Sequence, residues 1–96
     1  MDRKLFDLYE DEVVDFVLEV HEELPFLHCT VKKWGARRYE HIIEVFVELT
    51  EQLKEQGIDY LFTWSPDANS AKFARMFGFK TLLTDEADQS LSFLRY

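Results

Sequence analysis

One cysteine, two prolines and three glycines are all that this 96-residue chain contains of the residues that cross-link, break or loosen a backbone. A lone thiol, Cys29, cannot close a disulfide within the chain, which suits a reducing compartment. No apolar run approaches the ~20 residues of a membrane span, and the opening stretch MDRKLFDLYEDE lacks the apolar core of a signal peptide. A cytoplasmic protein without membrane association is therefore expected. No repeat, low-complexity tract or Gly/Ser linker divides residues 1–96, so they read as a single domain.

Positive charge is also scarce: 11 Lys and Arg face 19 Asp and Glu, for a net charge of −8. Such an anion is repelled by phosphate backbones, so nucleic-acid binding is not expected. The exception is the run KKWGARR, in which Lys32, Lys33, Arg37 and Arg38 flank Trp34. It is suited either to hold a phosphate or to be neutralised by residues 1–31, which carry nine acids against two bases. Aromatics, by contrast, are abundant. Nine Phe, four Tyr and two Trp are many for this length, and some are expected to face a partner.

Hydrophobic periodicity orders the chain. Between Asp11 and Leu24, Val13, Val14, Phe16, Val17 and Val20 recur at helical spacing opposite Asp11, Asp15, Glu19 and Glu22, so residues 1–25 read as an acidic N-terminal helical segment that Pro25 ends, in which KLFDLY is either the helix's first turns or a short strand. FLHCTVKK (26–33) reads as a strand with Leu27, Cys29 and Val31 on one face and His28 and Thr30 on the other. Over 36–56 the stripe Tyr39, Ile42, Ile43, Phe46, Leu49 and Leu53 opposes Glu40, Glu44, Glu48, Glu51 and Glu55, a long helix stopped by Gly57. DYLFTW is a second strand. In SPDANSAKFARMFGFK, Ser65 is the expected cap of a short helix, Pro66 its first residue and Gly78 its stop, with Phe79 folding back on Phe73 or Ala74. Residues 80–84 and 89–96 form a terminal hairpin around DEAD. The order is helix-strand-helix-strand-helix-strand-strand, an α/β (α+β) domain whose mixed sheet has a parallel pair joined by a right-handed crossover.

That order over residues 26–96, with KFARMFGF closing the short helix, resembles the C-terminal half of the GNAT acetyltransferases, which bind acetyl-CoA. The brevity of the chain and the phrase FLHCTVKKW resemble short GNAT-like proteins encoded by bacteriophages. The resemblance implies a coenzyme cleft between FLHCTVKK and DYLFTW, with Arg37, Arg38, Val31 and Lys33 as its coenzyme contacts. Matching the family's glycine pattern to RRYEHI places Glu40 and Ile42 where glycines would bare the helix end to a diphosphate. Counting back from Gly78, the family's catalytic tyrosine falls on Ala74 and its asparagine on Asp67. Alanine cannot donate a proton to a leaving thiolate. The family also has three strands before the counterpart of FLHCTVKK, and there is room here for at most one. That strand is then an exposed edge, and a homodimer is the expected cover.

The expected function is therefore that of a truncated, catalytically degenerate GNAT-like protein, phage-encoded, that modulates a host or viral protein by direct contact. No catalytic residue and no resident cofactor are expected on this reading. Its surface would be Lys32 and Trp34 with the acidic row Glu44, Glu48 and Glu51, whose ~6 Å repeat imitates a line of phosphates. The competing reading is an acetyl-CoA-dependent N-acyltransferase that draws a proton shuttle from His28, His41 or Glu44. His21, His28, Cys29 and His41 lack paired ligand spacing, so no metal site is expected, and Cys29 reads as a small core residue.

Overall fold

The segment that reads as an acidic helix is two strands and their turns. In the computed structural model, which describes residues 3–96, β1 (Arg3–Glu10) pairs antiparallel with β2 (Val14–His21), and β2 pairs antiparallel with β3 (Leu24–Val31). The physical reason is a period of two beneath the apparent helical spacing. Val14, Phe16 and Leu18 are buried, while Asp15, Val17 and Glu19 between them point to the other face. Pro25 is not a helix stop but the second residue of β3, opposite Val20.

Two strands thus precede β3, where room for at most one was expected. β2 covers β3 along all eight of its residues. The expectation that β3 is an exposed edge is therefore overturned, and with it the edge-pairing reason for a homodimer. The free edges are β1 and β5 (Lys80–Thr84), and on β1 Arg3, Lys4, Asp7 and Glu10 supply charges that discourage strand addition.

The remaining elements follow the sequence reading closely. They are α1 (Ala36–Glu55), β4 (Tyr60–Ser65), α2 (Ala68–Met76), β5 (Lys80–Thr84) and β6 (Ser90–Arg95). The sheet order is β1-β2-β3-β4-β6-β5, with β3 and β4 parallel and all other neighbours antiparallel. The domain is a mixed α+β fold, as expected, except that it opens with two strands. In α1, Ile42, Val45, Phe46, Leu49 and Leu53 are buried, whereas Tyr39 and Ile43 of the expected stripe are half-buried. Gly57 (φ 88°) takes the left-handed conformation that lets the Ile58 N–H return to the Leu53 carbonyl.

Ser65 is not the cap of α2; it lies buried at the end of β4. Asp67 caps instead, its carboxylate accepting the Ser70 N–H at 2.8 Å, and that bond holds the carboxyl below its usual range. Gly78 (φ 97°) ends α2, and the Phe79 ring turns into the core 6.1 Å from Phe46. Phe46 also meets Phe16 of β2 and Phe77 beyond α2, so both helices and one face of the sheet share a single core. The opposite face of the sheet carries no helix. No helix among the described residues is long and apolar enough to cross a membrane.

Candidate functional site

β3 and β4 are in register at one pair, Phe26 with Phe62. Beyond it they bound a cleft of about 540 Å3, walled by Leu27–Val31 on one side and Thr63–Ser65 on the other. Strands that separate in this way leave backbone amides without ladder partners. The Leu27 carbonyl is an exception, since it accepts a hydrogen bond from the Thr63 hydroxyl at 2.9 Å. The floor and far wall are apolar and come from α2 and the residues after it: Phe73, Ala74, Phe77 and Phe79. Phe73 and Phe77 stand four residues apart on one helical face, with ring centroids 4.7 Å apart. The aromatic excess of KFARMFGF thus faces this cleft and the core beside it.

On the β3 side the cleft lining ends at Trp34, and α1 begins just after it, with Gly35 as its N-cap. Gly35 precedes the helix with φ 143°, a conformation in which a side chain would be strained, and no side chain caps the end. The N–H groups of the first turn are thereby left to an outside acceptor, and no acid stands in that turn. The crowding expected from Glu40 and Ile42 does not occur there: Glu40 is exposed one turn further on, and Ile42 points into the core. The misplacement has a plain cause, since matching the glycine pattern to RRYEHI sets it five residues after the glycine that actually opens the helix.

The basic run is divided by the fold. The Lys32 ammonium is 3.0 Å from Glu10 and 2.9 Å from the Asp11 carbonyl, and Lys33 is 3.7 Å from Glu12. The acids at the end of β1 and in the β1–β2 turn therefore meet both lysines, where the sequence predicts an acidic helix to do so. Arg38 donates to the Trp34 carbonyl at 3.0 Å, and neither Arg37 nor Arg38 has a carboxylate partner among the described residues. Val31 and Trp34 line the cleft, but Lys33, Arg37 and Arg38 do not. Trp34 is exposed and meets Phe73 edge-on across the mouth, with centroids 5.1 Å apart.

Of the three side chains considered as proton carriers, the cleft includes only His28, whose Nε2 is 2.7 Å from Glu19. His41 instead lies 2.6 Å from Asp11. Glu44, with Glu48 and Glu51, is exposed on the outer side of α1. Ala74 is in the cleft wall, and no tyrosine, aspartate or glutamate accompanies it there among the described residues. Cys29 lines the cleft half-buried, and burial pushes its thiol up to about 12, with Asp15 adding to the rise. His28 and Cys29 point to opposite faces of β3, and no group of three or more His, Cys, Asp or Glu is placed to hold a metal among the described residues. Thr63, Asn69 and Ser70 complete the polar lining; nothing in their spacing along the chain singles them out, because the strand separation brings them together.

No family model matches the sequence, and no curated protein matches it. A solved structure does match: the crystal structure of a "putative acetyltransferase" from Agrobacterium tumefaciens, 13% identical, with a TM-score of 0.56 over 99% of this chain and 75% of that one. At that identity the likeness speaks for the fold alone, and the fold of this protein is GNAT-like.

Proposed function

We propose that the protein binds an acyl-coenzyme A thioester, acetyl-CoA being the simplest, in the cleft between β3 and β4. The observation that supports this most is the single registered pair Phe26–Phe62, beyond which two parallel strands enclose an apolar-floored cleft that reaches Trp34, the residue before the uncapped start of α1. An extended arm rich in amides fits between strands whose own amides lack partners. A diphosphate fits the first turn of α1 with Arg37 and Arg38 beside it. Val31 belongs to the wall of that site. Lys33, tied to Glu12, does not reach it.

Acyl transfer from such a thioester requires a proton for the departing thiolate and a base for the attacking amine. His28 borders the cleft but turns its ring to Glu19 on β2, on the face opposite Cys29, and no phenol lines the cleft among the described residues. The Cys29 thiol holds its proton too tightly to serve. The protein is accordingly a thioester binder of acetyltransferase type with a reduced proton relay. Calorimetric titration with acetyl-CoA tests this. Binding tighter than about 100 µM, weakened roughly tenfold by Arg37→Ala with Arg38→Ala, is the expected result. A flat titration removes the reading.

A second reading is favoured by the absence of a phenol beside Ala74: a GNAT-like protein that has kept the fold and acts by contact with another protein, as a phage-encoded modulator of a host or viral protein would. Trp34, Glu44, Glu48 and Glu51 are exposed and available to such a partner, while Lys32 is engaged with Glu10. Reversal of the three glutamates to lysine abolishes the contact on this reading, with the far-ultraviolet spectrum unchanged.

A further inference from the structure

The two free edges of the sheet differ. β1 presents Arg3, Lys4, Asp7 and Glu10 along its length. β5, KTLLT, is exposed at every residue and holds one charge, that of Lys80. Leu82 and Leu83 are 55% and 53% exposed. The β5 backbone groups turned away from β6 have no ladder partner among the described residues, and an edge of this composition is a template for another strand.

A bulge decides which strand fits. Lys80 stands opposite Phe93, Thr81 opposite Ser92, Leu83 opposite Leu91 and Thr84 opposite Ser90, so Leu82 is an extra residue that shares Leu91 with Leu83. Ser92 and Ser90 are buried on the helix side, which puts Thr81 and Thr84 there too, and the Thr81 hydroxyl lies 3.4 Å from Arg75 of α2. Lys80 is on the uncovered side, where Phe93 stacks 5.2 Å from Phe62 and Phe62 stacks 5.5 Å from Phe26. Asp85 extends the ladder, its N–H donating to the Gln89 carbonyl at 2.9 Å, and alternation after Thr84 sets it on that same uncovered side. In a strand without the bulge, Lys80 and Asp85 would point to opposite faces.

The run KTLLTD is thereby complementary to itself. Laid antiparallel on a second copy, about a two-fold axis that passes between Leu82 and Leu83 perpendicular to the sheet, Lys80 meets Asp85, Thr81 meets Thr84 and Leu82 meets Leu83. Both members of each pair lie on one face. Lys80 has no carboxylate partner in its own chain among the described residues. Asp85 commits Oδ1 to the N–H groups of Ala87 and Gln89 and leaves Oδ2 for a cation.

We infer that β5 is a pairing edge whose partner is β5 of a second copy, so that two six-stranded sheets join into one. The assembly closes, because its outer edges are then two copies of the charged β1. Six residues a side is far below the ~20–30 of a standard interface, so the association is weak, with a Kd on the order of 10–100 µM. No residue of β5 lines the cleft, and pairing is independent of coenzyme binding.

Sedimentation equilibrium of the full chain from about 10 to 500 µM tests the inference. A dimer of twice the 11.5 kDa chain mass is expected to form across that range. Lys80→Glu sets two acids against each other at both ends of the paired strands and weakens the dimer at least tenfold. Leu82→Lys, at an exposed position, does the same by placing a charge against Leu83 of the second copy. Asp85→Lys also weakens it, and mixing this variant with Lys80→Glu restores a heterodimer, since each cation again meets an acid. Far-ultraviolet spectra identify the folded variants; should Asp85→Lys lose the hairpin turn, Lys80→Glu and Leu82→Lys carry the test. A wild-type monomer at 500 µM overturns the inference, as does a dimer that withstands either Lys80→Glu or Leu82→Lys. The absence of a heterodimer on mixing two folded charge variants overturns it too. Acetyl-CoA titration of Lys80→Glu, expected to match that of the wild type whatever its result, keeps this outcome distinct from the coenzyme reading.

Discussion

His41, in the second turn of α1, reaches the turn between β1 and β2 and places its Nε2 2.6 Å from Oδ2 of Asp11. The same oxygen accepts the Tyr9 hydroxyl at 2.6 Å, and Oδ1 accepts the N–H groups of Val13 and Val14 at 2.7 and 2.9 Å. One carboxylate thereby joins the first strand, its turn and the long helix. The Tyr9 bond foremost, with the Val14, His41 and Val13 contacts behind it, holds the Asp11 carboxyl far below its ordinary value against the opposing effect of burial.

A carboxyl depressed in the folded state stabilises the fold above its unfolded pKa of ~3.9, and that stability is lost as the pH falls below it. Urea midpoints measured from pH 6 down to pH 2.5 are therefore expected to fall more steeply for the wild type than for Asp11→Asn. At pH 6 the variant is the less stable by about 1–2 kcal/mol, from lost hydrogen bonds to a charged acceptor. Parallel curves would show that Asp11 is ionised without structural consequence.

The β2–β3 turn consists of Glu22 and Glu23, with φ of 51° and 68°. Left-handed residues with a Cβ are strained by about 1–2 kcal/mol relative to glycine's freedom. Glu23→Gly is expected to raise the thermal midpoint by roughly 4 °C, after the larger chain entropy of glycine in the unfolded state is subtracted. Glu23→Ala, which keeps the Cβ, gives no such gain. A glycine variant that melts at or below the wild-type temperature would mean that the turn is not strained.

The same two glutamates explain what the sequence hid. A two-residue hairpin usually announces itself with Asn-Gly or Asp-Gly, and here both turn positions carry a residue that favours helices. Val13, Val17 and Val20 satisfy helical spacing by accident, since Val14, Phe16 and Leu18 form the true inward set at a period of two. After Leu24 the local signals agree with the fold, and the elements were legible to within two residues, with Gly57 and Gly78 as real stops. The cleft was legible as the space between two strands. Its polar lining from Asn69 and Ser70 was not, because only the separation of β3 from β4 brings α2 to it. The uncovered sheet face escaped notice for the same reason as the hairpin. Phe26, Phe62 and Phe93 lie on three strands far apart in sequence and meet only through the register.

Cys29 provides a test of burial in the cleft. Its thiol, pushed up to about 12, is almost wholly protonated at pH 8. Alkylation of the native protein is expected to be on the order of a thousandfold slower than for an ordinary thiol, and to become rapid in urea. Fast native alkylation would place the thiol in a more open cleft wall than the structure gives it.

Trp34 and Phe73 approach each other edge to face across the cleft mouth, and both Trp34 and Trp64 line the cleft. A thioester whose diphosphate rests at the start of α1 and whose arm enters between the strands has to pass the Trp34 ring. Tryptophan emission is therefore expected to change as acetyl-CoA is added, and Trp34→Phe to remove most of that change. Because Trp34 is 60% exposed and phenylalanine keeps the contact with Phe73, stability is expected to move by less than about 1 kcal/mol. Affinity from calorimetry is then expected to change by no more than about tenfold, since an edge contact of this kind contributes only about 0.5–1.5 kcal/mol. An emission change of full size in Trp34→Phe would put the ligand at the Trp64 side of the cleft, away from Trp34 and the start of α1.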